Sequence, residues 1–439
     1  MNICMFTNAY LPHVGGVARS VAFFTEDLRN RGHRVLVVSP TFPKDHKEQD
    51  NEEDVLRVPA IQNFKGSDFS VIIPMPFIIS KKINDFQPDI IHSHHPYLLG
   101  DAALRAAYRR NLPLVFTHHT LYEKYTHYVP MDSEAMKRLA VLLSTRYANL
   151  CTRVVAPSQS IADLISQRGV KTFIEVIPTG VDVDFFKSGK GKDFRRHHQI
   201  PSDALVIGHL GRLAPEKNLE YLSLAIIKAL KKIPVEVRFL VVGSGPSEEN
   251  IREMFRDSGL AERLVMAGKQ GGSDLAGAYR AMDLFVFSSK TETQGMVLAE
   301  AMAAGVPVIA LDASGVREVV RDNQNGRLLP EDADTEMFAR AVTDFFKNRE
   351  NSSSWQKAAQ DTAQEFSREA SAEKLISMYH YIMHKGTQDG SPHKDELALW
   401  DKLLMSLKTE WTLLSERAGV IKGAVQKESS NNRQDNDPV

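Results

Sequence analysis

Along most of the chain, short apolar runs alternate with longer stretches in which apolar residues recur three and four positions apart. The runs Ile3 to Thr7, Val35 to Ser39, Ile90 to His92, Leu114 to Thr117, Val154 to Pro157 and Ile174 to Pro178 predict buried strands. Between the first two, Gly15 and Gly16 open a predicted helix that runs to about Arg31 and stops at Gly32. Ser158, ahead of Ile161, Leu164 and Ile165, predicts another helix start because its hydroxyl can accept from a free first-turn amide. Buried strands alternating with helices predict a parallel sheet covered on both faces.

A polar stretch from 187 to 201 interrupts the pattern, which then restarts, and the domain boundary is placed there. The second half predicts strands at Leu205 to Leu210, Val237 to Val242, Leu264 to Ala267, Leu284 to Ser288 and Pro307 to Ala310. Helices are predicted from Asn218, from Glu248, and over Leu275 to Ala281, Met296 to Ala304 and Asp334 to Phe346. Two open α/β sheets in series create a cleft, since ligands collect beyond the carboxyl ends of parallel strands. After Phe366 the pattern predicts a helix over Ala370 to His384 and another from Asp395 to about Lys427, with a polar, disordered end.

Composition narrows the function. At 439 residues the chain suits two domains, and 54 basic against 55 acidic residues leave a net charge of -1. That balance argues against nucleic acid as partner, which needs a basic excess to neutralise phosphates. Only Cys4 and Cys151 are present, far apart, which predicts free thiols in a reducing compartment. The first residues carry no basic leader followed by an apolar stretch, and the longest apolar run, near Val71 to Ile79, is broken by Pro74 and Pro76. The expectation is a cytoplasmic chain whose membrane contact, if any, is peripheral.

The densest chemistry lies in TETQGMVLAEAMAAGVPVIA. Gly295 lets a backbone approach a ligand where a helix begins, and the free amides of Gly295, Met296 and Val297 face an anion there. Glu292 and Glu300 stand eight residues apart; as an isolated pair they would read as solvated helix-end charges, but Glu300 is also placed to accept from hydroxyls. GHLGRLAPEKN supplies Arg212 and Lys217, a fork and a point charge suited to a diphosphate, or else a salt bridge with Glu216. Gly243, in VVGSGP, adds a glycine turn after a strand, which by itself also fits a plain strand-to-helix connection. Gly15 and Gly16 again allow a ligand near a helix start, or make a tight turn. Neither a GxxxxGK[ST] nor a GxGxxG pattern occurs, which counts against a P-loop triphosphatase and an NAD site. His92, His94, His95, His118 and His119 gather at strand ends without a metal-ligand spacing, so hydrogen bonding to a polar ligand is the more economical reading.

These motifs together resemble the large family 4 of retaining glycosyltransferases, with the two-domain GT-B fold, over nearly all of residues 1 to 385. The matching segments are GGV at Gly15 to Val17, FTHHT, APS at Ala156 to Ser158, IPTGVD at Ile177 to Asp182, GRLAPEKN and ETQGMVLAEAMA. The resemblance implies that Arg212 and Lys217 hold the donor diphosphate, Glu300 the ribose, and Glu292 with Gln294 and the backbone after it the sugar and phosphates. It also implies that His119 contacts the transferred sugar, that Lys269 lies near the nucleobase, and that transfer is front-face, without a metal or other cofactor.

By the same resemblance, residues 1–184 form an acceptor-binding domain, 185–365 a nucleotide-sugar-binding domain, 366–385 a crossover helix, and 386–439 a helical extension with a disordered tail. The stretch LYEKYTHYVP, with Tyr122, Tyr125 and His127, resembles bacterial enzymes that glycosylate diacylglycerol. Eight Lys or Arg between Arg105 and Arg153 face only Glu123, Asp132 and Glu134, and a helix near Met136 to Leu150 could rest on an anionic membrane at the inner face of the cell membrane or be an ordinary solvated helix. The expected substrates are a nucleotide sugar, UDP-glucose first, and a diacylglycerol-type lipid. Mannosyl or glucosyl transfer to phosphatidylinositol or a soluble sugar acceptor, and a GT-B sugar-nucleotide epimerase, stand as alternatives.

Overall fold

In the computed structural model of the chain, the described residues are 1–13, 15–42, 54–61, 71–72, 76–124, 133–290, 292–348, 350–385 and 397–405. Hydrophobic alternation becomes two parallel sheets. The first half contributes β1 (Asn2–Phe6), α1 (Gly16–Asn30), β2 (Arg34–Pro40), β3 (Val55–Val58), β4 (Ala60–Ile61), β5 (Val71–Ile72), α2 (Pro76–Phe86) and β6 (Ile90–Ser93). It continues with α3 (Leu99–Arg110), β7 (Leu114–Thr117), α4 (Glu134–Asn149), β8 (Arg153–Ala156), α5 (Gln159–Gln167) and β9 (Ile174–Val176). The sheet order is β3-β2-β1-β6-β7-β8-β9, with all these pairings parallel. Ser158 caps α5 as expected, accepting from the Ile161 amide.

The second half holds α6 (Val183–Lys187), α7 (Gly191–His197), β10 (Leu205–Leu210), α8 (Leu219–Lys232), β11 (Val237–Val242), α9 (Glu248–Asp257), β12 (Leu264–Gly268) and α10 (Gly272–Arg280). After these come β13 (Leu284–Phe287), α11 (Met296–Ala303), β14 (Val308–Leu311), β15 (Gly326–Leu329), α12 (Thr335–Lys347), α13 (Glu350–Glu365) and α14 (Arg368–Lys385). Its order is β12-β11-β10-β13-β14-β15. In each sheet the strand order reverses beside the first strand, and loops leaving the two central strands diverge there to leave a crevice.

Several elements are absent from the sequence expectation. Helix α3 hides because its buried face is largely alanine, with Ala103, Ala106 and Ala107 beside Leu99 and Leu104. The polar stretch 187–201 is not an extended linker. It contains α7, held by buried Phe194 and Ile200, and a Cβ on Gly191 would stand 2.2 Å from the Arg280 carbonyl oxygen.

The chain passes between the two cores near 177–181 and returns near 366–368. Ile177 packs in the first core and Val181 in the second. A Cβ on Gly180 would lie 2.3 Å from the Arg368 Cα, and Val181 forms a parallel bridge with Ser367, so the two passages touch backbone to backbone. Helix α14 then lies on the first domain, burying Leu375, Met378, Tyr379 and Ile382 with α1 and β1. Arg368 fastens its start to Asp27 at 2.6 Å and Glu26 at 2.8 Å.

Of the predicted helix from Asp395 to Lys427, residues 397–405 are described and helical; 406–439 lie outside the described residues. Trp400 is 2% exposed in the first domain's core. Its indole Nε1 donates to Asp101 at 3.0 Å, and Asp401 pairs with Arg105 at 2.6 Å. This part of the extension is a packing element for α3. No helix among the described residues is long and apolar enough to cross a membrane.

Candidate active site

The second sheet reverses order between β10 and β13, and the loops leaving these strands carry the two densest motifs. Lys217, from the β10 loop, places its Nζ 3.0 Å from Glu292 Oε2, from the β13 loop. The ammonium also stands 5.8 Å above the Phe287 ring. Arg212 is exposed on the same loop, whereas Ser288 and Ser289 anchor the backbone around Lys217 by donating to the carbonyls of residues 216 to 218. A cation pair at the carboxyl ends of parallel strands is suited to bind a diphosphate.

Gly295 adopts a left-handed conformation, φ 76°, and caps α11. A side chain is excluded there on two counts, since a Cβ would also meet the Gly315 carbonyl oxygen at 2.8 Å. The turn points the start of α11 into the crevice, and the first amides of Met296 and Val297 have no acceptor within the helix. Gly243 likewise combines a positive φ of 137° with crowding: a Cβ would fall 1.9 Å from the Gly211 carbonyl oxygen, where two strand-end loops pack. Lys269 is exposed just beyond β12.

Glu300 is 1% exposed, and both of its oxygens are engaged. Tyr279 donates to Oε2 at 2.8 Å, and Arg19, from α1 of the first domain, donates to Oε1 at 2.8 Å. Sequence reasoning missed both partners, which lie 21 and 281 positions away. The signal for Arg19 was a cation one turn inside the helix that Gly15 and Gly16 open.

Gln294 sits between the domains. Its Oε1 accepts from the Thr179 amide at 2.8 Å and its Nε2 donates to the Thr179 carbonyl at 2.7 Å. With both side-chain ends engaged, this residue has its backbone to offer a donor. Ser158 donates to the Thr293 carbonyl at 2.8 Å, and the amide and hydroxyl of Ser160 both donate to Glu318. The cleft is therefore closed at its base by hydrogen bonds from the start of α5 in one domain to Thr293, just before α11, and to Glu318, in the segment after β14, in the other.

The opposite wall comes from the strand ends of the first sheet. A Cβ on Gly16 would meet nothing within 4 Å, so the start of α1 faces open space. His94 and His119 meet, Nδ1 to Nε2, at 3.0 Å, and His94 stacks on His92 with ring centroids 4.3 Å apart. His92 in turn bonds Tyr379 of α14 at 2.6 Å and Thr117 at 2.7 Å. Burial pushes His92 down to about 3 and His118 to about 4. It also holds His94 and His119 well below the ordinary histidine value, with neighbouring histidines adding to the effect. The row is neutral at pH 7; His92 and His94 are fully buried, and His119, half-buried at the end of the row, is the member placed to hydrogen-bond a polar ligand without adding charge.

Among the described residues, no three of His, Cys, Asp and Glu converge as metal ligands. Tyr122 packs its ring against Tyr97 and His118, and burial raises its hydroxyl well above the ordinary tyrosine value. Tyr125 and His127 lie outside the described residues.

Residues 14–185 match the family model described as Glycosyltransferase Family 4, and residues 191–362 match Glycosyl transferases group 1. A GDP-mannose-dependent alpha-mannosyltransferase of Mycobacterium tuberculosis (strain CDC 1551 / Oshkosh) is 31% identical over 336 residues, 75% of this chain and 84% of that protein. An alpha-monoglucosyldiacylglycerol synthase of Acholeplasma laidlawii is 26% identical over 402 residues, 88% of this chain and 99% of that protein. Among solved structures, Anabaena Alr3699/HepE in complex with UDP-glucose superposes with a TM-score of 0.68 at 20% identity, covering 87% of this chain and 100% of that one. The two facing parallel-sheet domains are those of the GT-B fold.

Proposed function

The chain belongs to glycosyltransferase family 4 and is a glycosyltransferase acting on nucleotide sugars; from that premise we propose that it moves a hexose, glucose from UDP-glucose first, to the hydroxyl of a diacylglycerol-type lipid. In this reading Arg212 and Lys217 hold the diphosphate, the start of α11 at Gly295 to Val297 faces its oxygens, and Glu300 accepts from the ribose. Glu292 and the neutral His119 face the sugar. Leaving-group charge is met by fixed cations and amides already in place, which lowers the barrier without reorganisation. The acceptor hydroxyl attacks from the leaving-group side, the bond from anomeric carbon to phosphate oxygen breaks, and the departing phosphate takes the acceptor proton. Configuration is retained, and no metal takes part.

The observation that carries the lipid acceptor is the match, over 88% of this chain and 99% of that protein, to the Acholeplasma laidlawii alpha-monoglucosyldiacylglycerol synthase. A surface feature supports it. Arg138, Leu142 and Arg146 stand exposed at four-residue spacing along α4, a cationic stripe with an apolar residue at its centre. Such a face suits an anionic bilayer, with the protein held peripherally at the inner side of the cell membrane. The mannosyltransferases at 30 to 31% identity favour a second reading, mannosyl transfer from GDP-mannose to a lipid of the phosphatidylinositol type or to a soluble sugar.

The test is a donor panel of UDP and GDP sugars, assayed with dioleoylglycerol or phosphatidylinositol in vesicles with and without phosphatidylglycerol. The proposal expects glucosylated diacylglycerol and co-sedimentation with the anionic vesicles at low salt. Turnover only with soluble acceptors, or a new epimer formed from the donor alone, would contradict it.

A further inference from the structure

The Glu300 carboxylate is the most deeply buried acidic group in the crevice, at 1% exposure, and it is saturated by the protein itself. Tyr279 belongs to the same core, and its ring packs on Phe186 and Phe285. It is fixed. Arg19 differs: it reaches across from the other domain, its side chain is 33% exposed, and its guanidinium stands 5.7 Å above the Phe23 ring. One partner is part of the wall, and the other is a visitor on a long, flexible stem.

A ribose that donates to Glu300 needs the oxygen that Arg19 holds. The guanidinium must then leave, and the energetics constrain where it goes. A buried carboxylate tolerates loss of a charged partner only when other donors replace it, and two ribose hydroxyls do so. The displaced cation needs an anion in return. The diphosphate follows the ribose in the donor, and so enters the crevice beside the vacated position. Arg19 springs from the first turn of α1, where its amide bonds the Gly15 carbonyl at 3.0 Å, and the Gly16 side of that turn is open space. A guanidinium offers phosphate the same planar fork that it offers a carboxylate.

We propose that Arg19 is a donor-binding residue with two stations: it neutralises Glu300 before the donor arrives and moves to the donor diphosphate when the ribose takes Glu300. The first domain thereby supplies a third cation to a diphosphate site otherwise built from Arg212 and Lys217. This inference rests on the reading of Glu300 as the ribose acceptor.

The test uses the full-length protein, with uridine, UDP, guanosine and GDP as ligands, in calorimetric titrations of wild type, Arg19→Ala and Arg19→Gln. Nucleoside and nucleoside diphosphate both displace Arg19 from Glu300, so that cost cancels in the ratio of their dissociation constants. The ratio isolates the diphosphate contact. In Arg19→Ala the nucleoside is expected to bind more tightly, while the ratio of nucleoside to diphosphate Kd shrinks by about tenfold to a hundredfold, the range of a charge-assisted hydrogen bond. Arg19→Gln keeps a neutral donor for Glu300 and is expected to shrink the ratio similarly, which preserves the test if the alanine variant does not fold. An unchanged ratio overturns the move to the diphosphate, and unchanged nucleoside affinity overturns the first station. A separate arm tests the underlying reading: wild type should prefer uridine or guanosine over the 2′,3′-dideoxynucleoside, and Glu300→Gln should lose most of that preference. Equal binding of both sugars by the wild type would remove Glu300 as ribose acceptor, whatever Arg19 does.

Discussion

Gln294 and Thr179 exchange two hydrogen bonds, at 2.8 and 2.7 Å, between the entrance to α11 and the segment that joins the domains. The Thr179 hydroxyl meanwhile donates to Ser20 of α1 at 2.8 Å, so one threonine is tied to both domains. The base of the cleft is fixed by a buried side-chain amide paired with a buried peptide unit.

Replacing Gln294 by alanine orphans a buried amide and a buried carbonyl together. Each costs about 1–3 kcal/mol. The expected result is a lower melting temperature in calorimetry, with the two domains beginning to melt as separate transitions. A single transition at the wild-type temperature would show that the clamp contributes nothing.

Lys217→Ala removes one cation from the proposed diphosphate site and frees Glu292 from its partner at 3.0 Å. The fold should survive, since the ammonium is partly exposed. Turnover should fall by about 10²–10³, as it does when a preorganised donor to developing negative charge is lost. Steady-state kinetics beside a circular dichroism spectrum checks this, and unchanged kcat would refute the assignment.

Trp400→Ala should cost about 3–5 kcal/mol, the range for emptying a large buried aromatic site. Deleting residues from 386 onward should destabilise the chain comparably, because the same indole and the Asp401 to Arg105 pair disappear. Chemical denaturation followed by circular dichroism reads both. Unaltered midpoints would mean that the extension packs without stabilising.

The buried histidines predict acid lability. His92 near 3 and His95 and His118 near 4 are neutral when folded, whereas the unfolded chain protonates each at about 6.5. Below that value the unfolded state binds more protons, so stability falls with pH, by up to about 1.4 kcal/mol per unit for each group. The loss runs from about pH 6.5 down to the folded values. His209, near 4, is a fully buried group of this kind in the second domain, whereas His94 and His119, also held well below the ordinary value, bring the first domain to five. Hydrogen exchange between pH 7.5 and 5 should show the first sheet opening first; equal protection of both sheets throughout would contradict this.

How legible this molecule was depended on the range of its interactions. Leu205 to Leu210 and Val237 to Val242 were legible to the residue, because a buried parallel strand is apolar on both faces and leaves an uninterrupted run. Helix α3 was illegible, because alanine gives little contrast between a buried and an exposed face. In the site, Lys217 and Glu292 were found as separate motifs, and their meeting follows from β10 and β13 being neighbours at the point where strand order reverses. Arg19 and Glu300 could not be paired from sequence, since their contact depends on how one domain sits against the other. The row of His92, His94 and His119 was visible as residues, but its hydrogen bonding to Tyr379 requires α14 to have returned across the first sheet.

The two passages of chain that touch at Gly180 and Arg368 make the second domain an insert whose ends are neighbours. A unit bounded in this way can be lifted out and another set in its place without lengthening either connection. Under the proposed assignment of donor to the second domain and acceptor to the first, exchange of donor preference becomes a matter of two splice points, one on each side of a single backbone contact, with the first domain and its returning helix left whole.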